Sequence, residues 1–182
     1  MPMMIFLPAC FGASFSPYLT SIIPPVLSGL ADENQSIREN SLKAGRLIVK
    51  NYATKAVDLL LPELERGLSD FNYRIRIASV ELTGDLLYQL TGVSGKAELS
   101  EEDKIIYGDV NKTLVDVLGV ERRDRIFASI FMCRTDTAGQ VRTAAIEVWK
   151  SLVSNTPRMV KDILPTLTQT IIRRLASIDE EQ

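Results

Sequence analysis

Apolar residues in the stretch 118–157 recur at spacings of three and four, which is the period of an amphipathic α-helix. The pattern pauses only at the polar segment 135–139, which is too short for anything except a tight turn. Two helices with one apolar face each, joined by a short turn, form a helical hairpin. The stretch therefore predicts a helical hairpin. Its apolar positions are Ile126, Phe127, Ile130 and Phe131 before the turn, and Val141, Ala145, Val148 and Leu152 after it.

The same unit occurs three times along the chain, and an aspartate marks each copy. The first two aspartates are 38 residues apart and the next two are 66 apart, which is one period of 38 plus an insertion of 28. An arginine follows each aspartate at the sixth position, directly after isoleucine or valine. A period near 40 with two helices per unit is typical of HEAT or armadillo arrays. The aspartates are Asp32, Asp70 and Asp136, and the arginines are Arg38, Arg76 and Arg142.

The period predicts an all-α HEAT-repeat solenoid of stacked antiparallel hairpins, with about three and a half repeats. We expect residues 1–182 to form a single HEAT-repeat segment excised from a longer array, because the start lacks the polar cap of a terminal repeat and the chain stops half a repeat early. Most of the 28-residue insertion is the segment 92–107, where glycine and serine mix with acidic residues. This composition predicts an acidic surface loop.

The repeated aspartates and arginines have a structural and a catalytic interpretation. In the structural one, each aspartate caps the second helix of its hairpin and meets arginines of its own and the neighbouring repeat. A catalytic site would need the carboxylates to converge on one point. Groups that recur once per repeat form a ladder instead, so the structural interpretation is favoured.

Composition and motifs offer little chemistry. The chain is 46% apolar, has a net charge of −2 and contains no histidine, which removes histidine-based nucleophile systems and the commonest metal ligand. The segment 92–97 lacks the residues that a phosphate loop requires on both sides of its Gly-Lys pair. Two isolated cysteines give neither a disulfide framework nor a zinc site. We therefore expect no enzyme activity, no cofactor, no metal and no small-molecule substrate.

Two groups of basic residues are the candidate contact site. Arg122, Arg123 and Arg125 stand at the start of the helix in the third hairpin, and Arg158 and Lys161 stand on the helix after it. Equivalent helices of consecutive repeats line one surface, so the two groups could form a basic strip suited to phosphate contact. The alternative is a solvated charged face with nearby carboxylates as counter-charges.

Several stretches of the chain resemble one family of proteins. They are Leu118-Gly-Val-Glu-Arg-Arg-x-Arg125, Met132-Cys-Arg-x-Asp136, Val153-Ser-Asn-Thr-Pro-Arg158, Ile163-Leu-Pro165 and Leu59-Leu-Leu-Pro-x-Leu-Glu65. Together they resemble the large eukaryotic HEAT-repeat translational activator of general amino-acid control, and the resemblance covers nearly the whole chain. That family activates the kinase that phosphorylates the alpha subunit of initiation factor 2.

The resemblance implies a non-catalytic scaffold segment of a cytoplasmic, ribosome-associated protein that responds to amino-acid starvation or stalled ribosomes. Its implied partners are the ribosome, through RNA or ribosomal protein, and the protein kinase, both through the full-length protein. Neither DNA nor a membrane is an expected partner, and no stretch is apolar enough to span a bilayer. The alternatives are a generic protein-binding HEAT adaptor and a structural spacer.

Overall fold

The computed structural model describes residues 12–92 and 101–179, and in those ranges the chain is built from helices joined by short turns. Within them, a 3₁₀ helix at Gly12–Tyr18 precedes seven α-helices and no strand occurs, in agreement with the predicted all-α HEAT-repeat class. The helices are α1 (Leu19–Gly29), α2 (Gln35–Gly67), α3 (Tyr73–Thr91), α4 (Glu101–Leu118), α5 (Val120–Cys133), α6 (Gly139–Leu152) and α7 (Thr156–Asp179). The chain divides into two compact units at residues 95 and 96.

In the first unit, α2 packs against both α1 and α3. The core between these helices is aliphatic, and Leu60, Leu82 and Leu86 are almost fully buried there. At the surface, the guanidinium of Arg46 on α2 pairs with carboxylates of α3, at 2.8 Å from Glu81 and 3.1 Å from Asp85. Burial of the apolar helix faces is therefore the main source of stability for this unit.

Helix α2 combines two predicted helices. The periodicity predicts separate helices over 37–51 and 54–68, and α2 consists of two helices that meet at a kink between these ranges. Only Tyr52 departs from helical dihedral angles within α2, with φ −135° and ψ 20°. The Tyr52 ring is buried, with its centroid 5.9 Å from that of Phe15. The junction is thus a kink at a buried aromatic residue.

In the second unit, α5 is the central helix and packs against α4, α6 and α7. Trp149 on α6 is almost completely buried, and its ring meets Phe127 and Phe131 of α5 at centroid distances of 5.9 and 5.2 Å. Its indole Nε1 donates a hydrogen bond to Thr156 Oγ1 at 2.9 Å. The side chain of Asn155 caps α7, because its Oδ1 accepts a hydrogen bond from the Arg158 N–H at 3.0 Å.

The three repeated turns share one hydrogen-bond pattern, which differs from the predicted one. Each aspartate Oδ1 accepts from the backbone N–H two residues later, at 2.8 Å in all three turns. That later residue is the N-cap of the following helix. The aspartate therefore fixes the backbone of the N-cap residue, and it does not itself cap the helix. Asparagine side chains cap the first two of these helices. The capping residues and their third equivalent are Asn34, Asn72 and Ala138.

The ladder arginines bind the same turns through backbone groups. In each copy, Nη1 donates to the carbonyl oxygen of the aspartate at 2.6–2.7 Å and to the next carbonyl at 2.8–2.9 Å. These acceptors are peptide carbonyls of the arginine's own turn. A hydrogen bond from a charged donor is stronger than a neutral one, which explains a fixed turn shape in all three copies.

The predicted acidic loop 92–107 is wrong for its second half. Residues 93–100 lie outside the described residues, and α4 begins directly after them, so residues 101–107 are helical. The glycines and serines that suggested a loop end at Ser100. The polar residues that follow include good helix formers, and acidic residues are favoured in a first helical turn.

Candidate functional site

The start of α5 forms the floor of a shallow, open cleft of about 550 Å³. Gly119 precedes this helix with a positive φ of 76°, a conformation that glycine adopts without strain. Arg122 and Arg125 are one turn apart and therefore share a helix face. Glu121 is a counter-charge within the same first turn. The cleft is lined by Leu118, Gly119, Val120, Glu121, Arg122 and Arg125.

Arg123 belongs to the interior of the second unit, so the predicted basic surface does not include it. Its side chain is only 7% exposed, and Nη1 donates to Asn111 Oδ1 of α4 at 2.9 Å. The same Nη1 lies 3.8 Å from the sulfur of Met159 on α7. Arg123 therefore joins three helices, whereas Arg125, two residues later, is exposed.

Asp124 balances the buried guanidinium of Arg123. Its Oδ1 lies 2.8 Å from Arg123 Nε, at an angle that makes no hydrogen bond. Burial raises the pKa of Asp124 above its ordinary value of 3.8, the Arg123 guanidinium lowers it in part, and the Asp162 carboxylate adds to the rise. The pair is a structural ion pair, because neither charge is presented to solvent.

The second predicted group of basic residues lies on α7. Arg158 and Lys161 are exposed, whereas Met159 and Ile163 between and beyond them are buried. Helix α5 packs on α7, and both helices carry cations that solvent reaches: half-buried Arg122 and exposed Arg125 on one helix, exposed Arg158 and Lys161 on the other. Of the five cations, three are therefore exposed, Arg122 is half-buried and Arg123 is buried.

The third repeat contains an arginine–aromatic cluster that the sequence patterns did not predict. The guanidinium carbon of Arg134 lies 5.0 Å from the ring centroids of both Phe131 and Trp149. Arg134 stands two residues ahead of its aspartate, where the other two repeats have the buried Leu30 and Leu68. In the sequence, the signal for this cluster is the replacement of leucine by arginine at this position of the third repeat. The aromatic rings cover an arginine stem where the core would otherwise take a leucine.

The described residues contain no group of three or more acidic or cysteine side chains placed to hold a metal ion. Within the same ranges, no helix has the length and apolar character needed to cross a membrane.

Comparison with known proteins gives a consistent result. The family described as EF3 N-terminal HEAT repeat matches residues 4–91. The chain is 62% identical over 97% of its length to the Saccharomyces cerevisiae protein named eIF-2-alpha kinase activator GCN1. The chain belongs to the GCN1 family. It is also 47% identical over 94% of its length to the human stalled ribosome sensor GCN1, and 44% identical over 97% to the Arabidopsis thaliana protein ILITYHIA.

These GCN1-family proteins are much longer than the chain, which spans 7% of the length of each of the three. The family match confirms the resemblance drawn from the motifs. It also agrees with the structure, because HEAT repeats are helical hairpins and helices make up the described residues.

Proposed function

We propose that the chain is a non-catalytic scaffold segment of a cytoplasmic, ribosome-associated protein that activates the initiation-factor-2-alpha kinase when amino acids are scarce or ribosomes stall. The observation that carries the proposal is the 62% identity over 97% of the chain to a relative named as an activator of that kinase. A second relative, at 47% identity, is named as a stalled ribosome sensor.

The surface of the second unit supports a role in ribosome contact. Arg122, Arg125, Arg158 and Lys161 lie on two packed helices, where solvent reaches them. Cations at the surface of packed helices suit the phosphate backbone of ribosomal RNA. Arg123 is excluded from this set because its guanidinium is buried against Asn111 and Met159.

The test is co-sedimentation of the natural full-length protein with purified ribosomes across a salt series, comparing wild type with a variant carrying Arg122→Glu, Arg125→Glu, Arg158→Glu and Lys161→Glu. For every phosphate that the variant no longer neutralises, the dependence of log affinity on log salt should become shallower by a little under one unit. We expect weaker pelleting, a shallower slope and weaker kinase activation under amino-acid starvation.

A control with charge reversals elsewhere carries Lys43→Glu, Lys50→Glu and Lys55→Glu, three exposed cations on α2 in the first unit. It should pellet as the wild type does. If the four-site variant melts normally, pellets normally and keeps its salt slope, the basic surface does not contact the ribosome. The adaptor and spacer interpretations would then be favoured.

A further inference from the structure

The turn between α2 and α3 presents an aromatic side chain to solvent. Phe71 is 86% exposed, more than any other large apolar side chain in the described parts of the chain. Single exposed apolar residues are common, but a nearly bare phenylalanine leaves a large hydrophobic area without any contact. The exposure of Phe71 therefore calls for a reason in the structure around it.

The backbone around Phe71 is held firmly. Its carbonyl oxygen accepts a hydrogen bond from Arg76 Nη1 at 2.8 Å, and the preceding carbonyl, of Asp70, accepts from the same atom at 2.7 Å. On the other side, the Asn72 N–H donates to Asp70 Oδ1 at 2.8 Å, and the Arg74 N–H donates to Asn72 Oδ1 at 3.0 Å. A partner that buried Phe71 would thus bind a turn whose backbone is already ordered, which lowers the entropic cost.

The fold does not require an aromatic residue at this position. The two equivalent turns have the same aspartate and arginine hydrogen bonds, but Glu33 and Thr137 replace Phe71 there, and both are exposed. Polar residues therefore satisfy the same backbone geometry. The turn therefore forms without phenylalanine at this position.

Two further side chains extend the aromatic surface. Tyr73 is 41% exposed, and the Arg74 guanidinium carbon lies 5.7 Å from its ring centroid. Arg74 is also exposed. The equivalent positions in the other turns hold Gln35 and Ser36, and Gly139 and Gln140. Only the second turn of the three combines a phenylalanine, a tyrosine and an arginine, and we call these three residues the aromatic turn.

Aromatic residues and arginine are enriched at protein–protein contacts, where a few such side chains fill pockets and provide most of the affinity. Nucleic acid could also stack on aromatic rings, but it needs a positive surface for its phosphates. The segment 63–76 has three acidic and three basic residues, and Arg76 is bound to the turn carbonyls. The local charge therefore favours a protein.

We propose that the aromatic turn is a docking site for a protein partner, which receives Phe71 in an apolar pocket and pairs a carboxylate at the pocket rim with Arg74. The Tyr73 ring contacts the Arg74 guanidinium on the face opposite the partner's carboxylate. This site lies in the first unit and does not depend on ribosome contact by the second.

The test begins with photo-crosslinking in the natural full-length protein, with the photoreactive amino acid p-benzoylphenylalanine replacing Phe71. A matched control places it at Thr137, the equivalent position of another turn. We expect a protein adduct from position 71 that survives nuclease digestion, and at least about tenfold less of it from position 137. An adduct destroyed by nuclease would assign the turn to nucleic acid, and equal yields from both positions would also overturn the proposal.

The charge requirement is tested next. Arg74→Glu should lower the adduct yield about tenfold, and reversing the acidic residue nearest the crosslinked peptide of the partner to lysine should restore it. No loss, or no restoration, overturns the predicted carboxylate rim. In a direct binding assay with the purified partner, Phe71→Thr should weaken binding about tenfold or more and leave the melting temperature unchanged, because threonine occupies the equivalent position 137. Unchanged binding would overturn the proposal.

Discussion

Gly67 approaches Ser79 so closely that a Cβ atom on the glycine would lie 2.1 Å from the serine Oγ. The pair Gly29 and Ser41, one repeat earlier, has the same separation. At the third pair of equivalent positions, Cys133 takes the place of glycine and Ala145 that of serine, and both are buried. A larger residue on one helix is thus matched by a smaller one on the other. The two positions are coupled by close packing between the helices of a hairpin.

The first prediction concerns this coupling. Gly67→Ala should lower the free energy of unfolding by about 1–3 kcal/mol, because the new methyl group overpacks the contact with Ser79. Adding Ser79→Ala should recover part of that loss, as measured by urea unfolding in a double-mutant cycle. Gly139→Ala is the matched control: its Cβ would meet only Arg142 Nη2 at 3.5 Å, an ordinary contact, so alanine should be neutral or stabilising. Purely additive effects at 67 and 79 would contradict the packing argument.

The second prediction separates the acceptor role of the ladder aspartates from their charge. Asp70→Asn keeps an oxygen that can accept from the Asn72 N–H, so the free energy of unfolding should change by less than about 0.5 kcal/mol. Asp70→Ala removes the acceptor and should cost about 1 kcal/mol. Chemical denaturation of both variants measures the difference. Equal losses would instead indicate that the negative charge is what matters.

The third prediction distinguishes two neighbouring arginines. Arg123→Ala should destabilise the chain by about 3 kcal/mol or more, because Asp124 would remain in the interior without its counter-charge. Arg125→Ala, at an exposed position, should change stability by less than about 0.5 kcal/mol. Thermal and denaturant unfolding of both variants check this. Similar melting temperatures would show that Arg123 is not a structural residue in solution.

The fourth prediction follows from the raised pKa of Asp124. Because burial raises this pKa, the folded state binds the proton of the Asp124 carboxyl group more tightly than the unfolded state does. The contribution of Asp124 to stability is therefore fully present below the unfolded pKa of 3.8 and is lost as the pH rises through the higher folded pKa. Asp124→Asn lacks this titration. The melting temperature of wild type minus that of the variant should fall as the pH rises from about 3 to about 7, and a rising difference would contradict the direction of the pKa shift.

The sequence by itself determined the repeat. Its period of 38 residues, the three turns and the apolar faces predict a HEAT array without any coordinates, because helical periodicity and turn chemistry are local properties of the chain. The motifs between 118 and 165 were also specific enough to indicate the family, which the comparisons confirm. Three of the five predicted cations are exposed for the same reason: Arg125, Arg158 and Lys161 stand on helices whose buried faces the apolar pattern marks.

Only the tertiary structure decided which atoms those residues use. Arg123 and Arg125 differ by two positions in the sequence, yet one is buried between three helices and the other is exposed. Helical phase relative to a neighbouring helix separates them, and that phase is set by packing between distant segments. Packing also leaves Phe71 exposed at its turn. The ladder arginines differ, because they donate to backbone carbonyls of their own turns, acceptors that no residue type in the sequence specifies.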